Sequence, residues 1–257
     1  MRGAIGAAVG ASISAPTLAL APPERVCILA AMRVLANAEE TPGVRRLVLA
    51  RPSGWSYRPG QVAELVRGPG TEGYFALASA PEEDDLAFLL KPAGTPSGAI
   101  AEALPGEEVE VRGPFGAGFE LPDDVAAPLL FVGAGTSIAA LRSGVASAFA
   151  TRGALAGVTL ACGVRRPEDL AFRSELARWQ ERGLGLRIVV SRPEPSDGWS
   201  GPTGWVQAWL SDLATRDSWA FIAGSDAFED AVEAALVAAA VPRERIQRNY
   251  RRDWRTG

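Results

Sequence analysis

Between positions 26 and 121 the apolar residues come in short runs or in alternation, each stopped by glycine or proline. This patterning predicts strands at 27–35, 44–50, 61–67, 86–91 and 107–113. Arg58-Pro59-Gly60 and Arg67-Gly68-Pro69-Gly70 supply turn residues between them. Residues 98–104 carry a helical pattern, with Ser97 placed to accept a bond from its first free N–H groups. Several short strands at this spacing predict a small antiparallel β-barrel.

Beyond Pro128 the rhythm changes. Apolar runs at 129–132, 158–163, 186–190 and 219–223 alternate with helical patterns at 138–149, 170–182, 205–213 and 228–240. Strands and helices in that alternation predict βαβ units and a parallel sheet. The expected organisation is a tail over 1–22, a flavin-type barrel domain over 23–124, an α/β nucleotide-binding domain over 125–250 and a basic tail over 251–257.

Composition narrows the chemistry. The 257 residues are 47% hydrophobic and 22% charged, as in ordinary globular proteins. With 26 basic and 30 acidic residues the net charge is −4, and no block of like charge stands out before the last ten residues, so nucleic acid is not an expected partner. Two cysteines, Cys27 and Cys162, are too few for a disulfide framework or a thiolate metal site. There is no histidine, which removes His-assisted hydrolysis, His-ligated metal and imidazole acid–base work. Chemistry has to come from other side chains or from a borrowed cofactor. Residues 1–21, rich in Ala, Gly and Ser, read either as a transit segment ending at Ala19-Leu20-Ala21 or as a plain tail. Glycine, serine and proline dilute that run too far for a membrane span. The expectation is a soluble chain, cytoplasmic or, with a transit segment, in a plastid or mitochondrion.

Gly133-Ala134-Gly135-Thr136-Ser137 leaves a predicted strand and enters a predicted helix. Glycines there let a ligand approach the backbone. The helix start adds free N–H groups and a positive dipole end, the ingredients of a diphosphate cradle. The three-glycine dinucleotide fingerprint is incomplete, because Ile138 stands where the third glycine belongs. A plain strand-to-helix turn, capped by Thr136 or Ser137, accounts for the same residues.

Other short motifs fall in order around this turn. They are Arg58-Pro59-Gly60-Gln61, Ala76-Leu77-Ala78-Ser79-Ala80-Pro81, Lys91 with Gly94 and Ser97, and Gly113-Pro114-Phe115-Gly116. Then come Cys162-Gly163-Val164-Arg165, Asp197-Gly198-Trp199 with Thr203-Gly204-Trp205, and Ala223-Gly224-Ser225. In that order, from Val26 through Tyr250, the chain resembles the ferredoxin–NADP reductase superfamily, and within it the plant fruit-protein (pKIWI502-like) group of FAD/NAD(P)-binding reductases. The resemblance implies a flavin, FAD or FMN, across the barrel, and NADP or NAD at the C-terminal edge of the parallel sheet. Hydride then passes between the two rings, so the missing histidine is no obstacle.

The resemblance also implies a site. Tyr74, Phe75, Ala76, Leu77, Ser79 and the aromatic Tyr250 fall beside the flavin. Lys91, the only lysine, falls with Gly94, Thr95 and Ser97 toward its phosphates. Gly133, Gly135, Thr136, Ser137, Gly224 and Ser225 follow the nucleotide, with Arg165 on its phosphates. Ser191-Arg192 stands where a 2′-phosphate would favour NADP, since arginine suits bidentate phosphate contact. Lys91 also reads as a solvated strand end, and Ser191-Arg192 as a polar loop. No catalytic acid, base or metal ligand is implied.

The departures matter as much. Where the family's barrel motif is Arg, any residue, Tyr, Ser, this chain has Gly73, Tyr74, Phe75 and Ala76. Its Gly-Thr-Gly-x-x-Pro loses the proline to Ile138, and the Cys-Gly pair beside the nicotinamide becomes Ala223-Gly224. A lost charge-assisted bond to the flavin phosphate is worth roughly 1.5–3 kcal/mol. Two functions stay open. One is a flavin-dependent NAD(P)H oxidoreductase with an unidentified acceptor; the other is a catalytically degraded subunit that docks in a larger, organellar redox complex. The basic, aromatic-bearing stretch 248–255 reads as a docking patch for an acidic partner such as a ferredoxin, or as a solvated end.

Overall fold

The computed structural model describes residues 28–92 and 97–250, arranged as two sheets. Readings that fall on 1–27, Gly94, Thr95, the Ser97 side chain and 251–257 lie outside the described residues.

The first sheet holds β1 (Ile28–Thr41), β2 (Val44–Ala50), β3 (Val62–Val66), β4 (Gly73–Ala76), β5 (Asp85–Leu90) and β6 (Glu108–Phe115). Their order is β4-β3-β6-β1-β2-β5, with every pair antiparallel. Alternation does the folding: Met32, Val34, Leu47, Leu49, Leu86, Phe88, Val109 and Val111 all turn into one core. The edges approach one another where the Ala78 N–H, just after β4, donates to Ala87 O on β5 (2.7 Å). β1 outruns its predicted length because its first half pairs with β6 and its second with β2, with a bulge at Val34–Ala36 between them. β4 is too short to carry a period and was not foreseen. The helix α1 (Ser97–Ala101) stops before the predicted end.

The second sheet holds β7 (Leu129–Ala134), β8 (Val158–Val164), β9 (Gly185–Val190), β10 (Trp219–Ala223) and β11 (Ile246–Arg248), all parallel, in the order β11-β10-β7-β8-β9. The helices are α2 (Ile138–Arg152), α3 (Arg173–Gln180) and α4 (Asp226–Ala238). β7 is buried on both faces: Leu129 and Phe131 pack under α2, while Leu130 and Val132 meet Val232 and Leu236 of α4. The helix expected from 170 begins only at Arg173, because Phe172 takes a left-handed turn (φ 60°) that buries its ring. The helix expected over 205–213 is a 3-10 turn, Val206–Asp212.

Two seams join the sheets. Phe119, after β6, packs edge-on against Phe131 of β7 and Phe221 of β10, whose rings stack at 4.8 Å. A Cβ at Gly60 would come within 2.6 Å of the Phe119 ring, which explains the glycine of that turn (φ +78°). Asn249 closes the same seam: its side chain donates to Gly60 O (3.0 Å) and its N–H to Ile222 O (3.1 Å). The second seam is polar and lies along α2. Arg142 bridges Glu83 and Glu175, the Ser143 hydroxyl donates to Ser79 O (2.6 Å) and the Ser147 hydroxyl to Glu82 (2.7 Å).

Candidate functional site

In open α/β sheets, ligands bind beyond the C-terminal strand ends, where the strand order reverses. Here the chain lays down β7, β8 and β9 in one direction, then returns to set β10 on the other side of β7. The reversal point therefore lies between the ends of β7 and β10. The glycine turn after β7 and the Ala223-Gly224-Ser225 segment after β10 flank it.

A cleft of about 390 Å³ opens at this point. The first sheet contributes Val62, Tyr74, Phe75, Ala76 and Leu89; the second contributes Ala134, Thr136, Ser137, Ala139, Ala140 and residues 223–225; Asn249 and Tyr250 complete it. Eight of the residues read from the sequence thus meet in one place: Tyr74, Phe75, Ala76, Thr136, Ser137, Gly224, Ser225 and Tyr250. A second cavity of about 350 Å³ adjoins it through Leu89 and Thr136, and gathers Lys91, Gly135 and Arg165 beside the β1–β2 hairpin.

The glycines of the turn do different work. A Cβ at Gly133 would sit 2.7 Å from both Leu141 and the Ser137 hydroxyl, so this glycine serves close packing. Gly135 has φ +56° and nothing within 4 Å of its missing Cβ, an open backbone approach. The Ser137 hydroxyl is spent inside the turn, accepting from Ala134 N–H (2.8 Å) and donating to Ala134 O (2.9 Å).

Other residues read from the sequence line neither cavity. Leu77 is core, and the buried Ser79 hydroxyl binds Tyr57 and the Ala87 N–H (both 3.1 Å). Ser191 and Arg192 follow β9, where the Arg192 N–H donates to Arg165 O (2.9 Å), so the two arginines leave neighbouring strand ends. The Arg165 side chain is exposed, with its Nε 3.4 Å from Asp169. Cys162 is fully buried, and burial pushes its thiol up to about 12, so it is no nucleophile. At Arg248, the first residue of the stretch read as a docking patch or solvated end, Asp230 and Glu233 hold the side chain at 2.8 and 2.7 Å.

Three features received no site role from the sequence, although Ala134 and Trp205 stand within its motifs. Small residues, Ala134, Ala139 and Ala140, form one wall of the cleft, and alanine carries no motif signal. Trp205 stands 68% exposed just beyond the loop that follows β9. Glu229 is buried beneath the cleft segment, accepts the Gly224 N–H (3.2 Å), and lies 3.7 Å from Arg248. Burial pushes its carboxyl up to about 7 against the pull of that arginine.

The family described as Oxidoreductase NAD-binding domain matches residues 131–234. In shape the chain is similar to the Amycolatopsis cytochrome P450 reductase GcoB, with a TM-score of 0.79 and 25% identity over 91% of this chain and 73% of that one. The fruit protein pKIWI502 of Actinidia deliciosa is 27% identical over 208 residues, 73% of this chain and 64% of that protein. Ferredoxin–NADP reductase B of Sorangium cellulosum is 35% identical over 192 residues, 70% of this chain and 77% of that enzyme. No helix among the described residues is long and apolar enough to cross a membrane. With more than a third of its aligned residues shared across most of that reductase, the chain belongs to the ferredoxin–NADP reductase family.

Proposed function

We propose that this chain is a flavin-dependent NAD(P)H oxidoreductase that passes electrons from a nicotinamide nucleotide to a separate acceptor. The observation that carries this is the cleft, where the aromatic edge of one sheet faces the glycine turn of the other. Its walls suit a flat ring system: Tyr74, Phe75 and Tyr250 offer aromatic faces, and Ala134, Ala139, Ala140 and Gly224 leave a slot free of bulk. When bound, FAD supplies the exchange between two-electron hydride chemistry and one-electron transfer.

The chain's own residues bind, orient and exclude water. Tyr74 and Phe75 cover the flavin, with Ala76 too short to hydrogen-bond it. Gly135 and Thr136 admit the nucleotide diphosphate to the backbone, and Lys91 and Arg165 face the same cavity with positive charge. Arg192 grips a 2′-phosphate, favouring NADP, and the exposed Trp205 ring offers its face to an adenine. The acceptor is a small molecule or an acidic redox protein.

The test is anaerobic mixing of flavin-loaded protein with NADPH and, separately, NADH. Bleaching of the flavin supports the enzyme, faster with NADPH. A second reading, a docking subunit without turnover, is favoured by one observation. A Cβ at Gly73 would come within 2.8 Å of the Phe75 ring, which therefore fills the space where a phosphate-binding side chain would begin. A protein that takes up flavin yet is reduced by neither nucleotide carries that reading instead.

A further inference from the structure

Arg142 stands in the middle of a largely apolar helix, a costly place for a charge unless it is fully paired. It is. Nη1 donates to Ala78 O (2.9 Å) and Glu83 Oε2 (2.5 Å), and Nη2 to Glu83 Oε1 (2.8 Å). On the other side Nη2 meets Glu175 Oε1 (2.6 Å) and Nε meets Glu175 Oε2 (2.7 Å). The rings of Phe172 and Trp179 flank the guanidinium at 5.7 and 5.8 Å. Burial opposes the charge on Glu83, yet its bonds to Arg142 hold its carboxyl below the usual range. Every donor of this fork is engaged, and its partners come from the antiparallel unit on one side and α3 on the other.

Stability alone does not call for such a group, since apolar replacements of buried ion pairs are often neutral or stabilising. A planar fork gripped from both sides supplies registry instead. Its anchors adjoin the cleft on each side: Ala78 follows Ala76 by two residues, and Arg142 follows Ala140 by two. Both of those alanines line the cleft. Ser143 and Ser147 add two tethers from the same helix to the same connection. We propose that Arg142 is a positioning residue, whose grip on Glu83 and Glu175 fixes the gap between β4 and α2 and so the spacing of flavin and nicotinamide. This inference rests on the oxidoreductase reading above.

The test uses the full chain loaded with FAD. Arg142→Lys keeps the buried charge but replaces the five-donor fork by three donors on one nitrogen, which cannot make the paired contacts to both carboxylates and to Ala78 O together. The pair Ser143→Ala with Ser147→Ala leaves Arg142 in place and removes the tethers. A misplacement of about 1 Å can cost roughly 100-fold in rate, so a partial loosening is expected to slow flavin reduction at saturating nucleotide about 10-fold in the lysine variant and about 3-fold in the serine pair. Flavin content and nucleotide affinity are expected to stay within about 2-fold of the parent. The flavin–nicotinamide charge-transfer absorbance should weaken in step. In flavin-free protein, amide exchange over 76–83 should quicken. An unchanged rate and charge-transfer band would overturn the proposal, as would a rate loss that merely tracks lost flavin or unfolding. If the lysine variant does not fold, the serine pair decides. A parent that neither nucleotide reduces overturns the oxidoreductase reading and the positioning role together; a reducible parent with indistinguishable variants overturns the positioning role alone.

Discussion

In the proposed reading, the two halves of the cleft recognise their ligands by different means. The wall from the parallel sheet is built of backbone and small side chains: Gly135, Thr136, Gly224 and a run of alanines. The wall from β4 would work through its side chains, and there Gly73, Phe75 and Ala76 stand where the family resemblance implies Arg, Tyr and Ser. Backbone recognition survives drift in side-chain identity, because N–H groups and a helix dipole belong to the fold. Side-chain recognition does not. The nucleotide half is therefore expected to behave as an intact member of its family, and the flavin half as a variant.

The most disruptive way to break this contrast is Gly135→Val. A β-branched residue at φ +56° is strained, and its side chain fills the open approach. Nucleotide affinity should fall about 30-fold or more, at roughly 2 kcal/mol, while flavin content holds. Titration of the flavin-loaded protein with NADP checks it; undiminished binding would mean the diphosphate lies elsewhere. The pair Ala76→Ser with Ala223→Cys works in the opposite direction, returning a hydroxyl and a thiol to the cleft. Stopped-flow reduction should speed up about 10-fold, since single donors at such positions are worth 10²–10³ when ideally placed.

Gly73→Arg sharpens the contrast from the flavin side. If Phe75 has taken that space, restoring the cation alone will not help, and flavin affinity should drop by about 5-fold as the ring is displaced. A gain by equilibrium dialysis would show instead that Phe75 yields freely. The smallest effect concerns pH. Glu229 holds its proton up to about 7 in the folded chain, whereas an unfolded carboxyl ionises near 4.3. Between those values the folded state binds more protons, so this group's contribution to stability falls as pH rises and levels off above about 7. Glu229→Gln should flatten that part of the profile in urea midpoints measured from pH 5 to 8.

The sequence was most legible where one periodicity ran long enough to read. β2 and β10 fall where the alternation and the apolar run put them, because each buries its pattern against fixed neighbours. β4 and β11 were missed, since four and three residues hold no period and their pairing is decided by partners far along the chain. The site divided likewise. Motif-bearing residues such as Phe75, Gly135 and Tyr250 line the cavities, but Ala139, Ala140 and Glu229 left no signal. Arg142 did leave one: a lone charge inside a helical apolar run asks for a buried partner, although no local pattern names Glu83 or Glu175.

The bond from Asn249 to Gly60 spans 189 positions, and Asn249 and Val62, two residues after Gly60, both line the cleft. Each sheet can gather its own core from strands that lie nearer in sequence, whereas the cleft needs a loop of that length to close, with the entropy cost that long loops carry. The reactive surface should therefore be the last part to organise on folding and the first to be lost in partial opening. A chain loosened at this seam keeps both cores but separates donor from acceptor, so thermal inactivation should precede the loss of secondary structure.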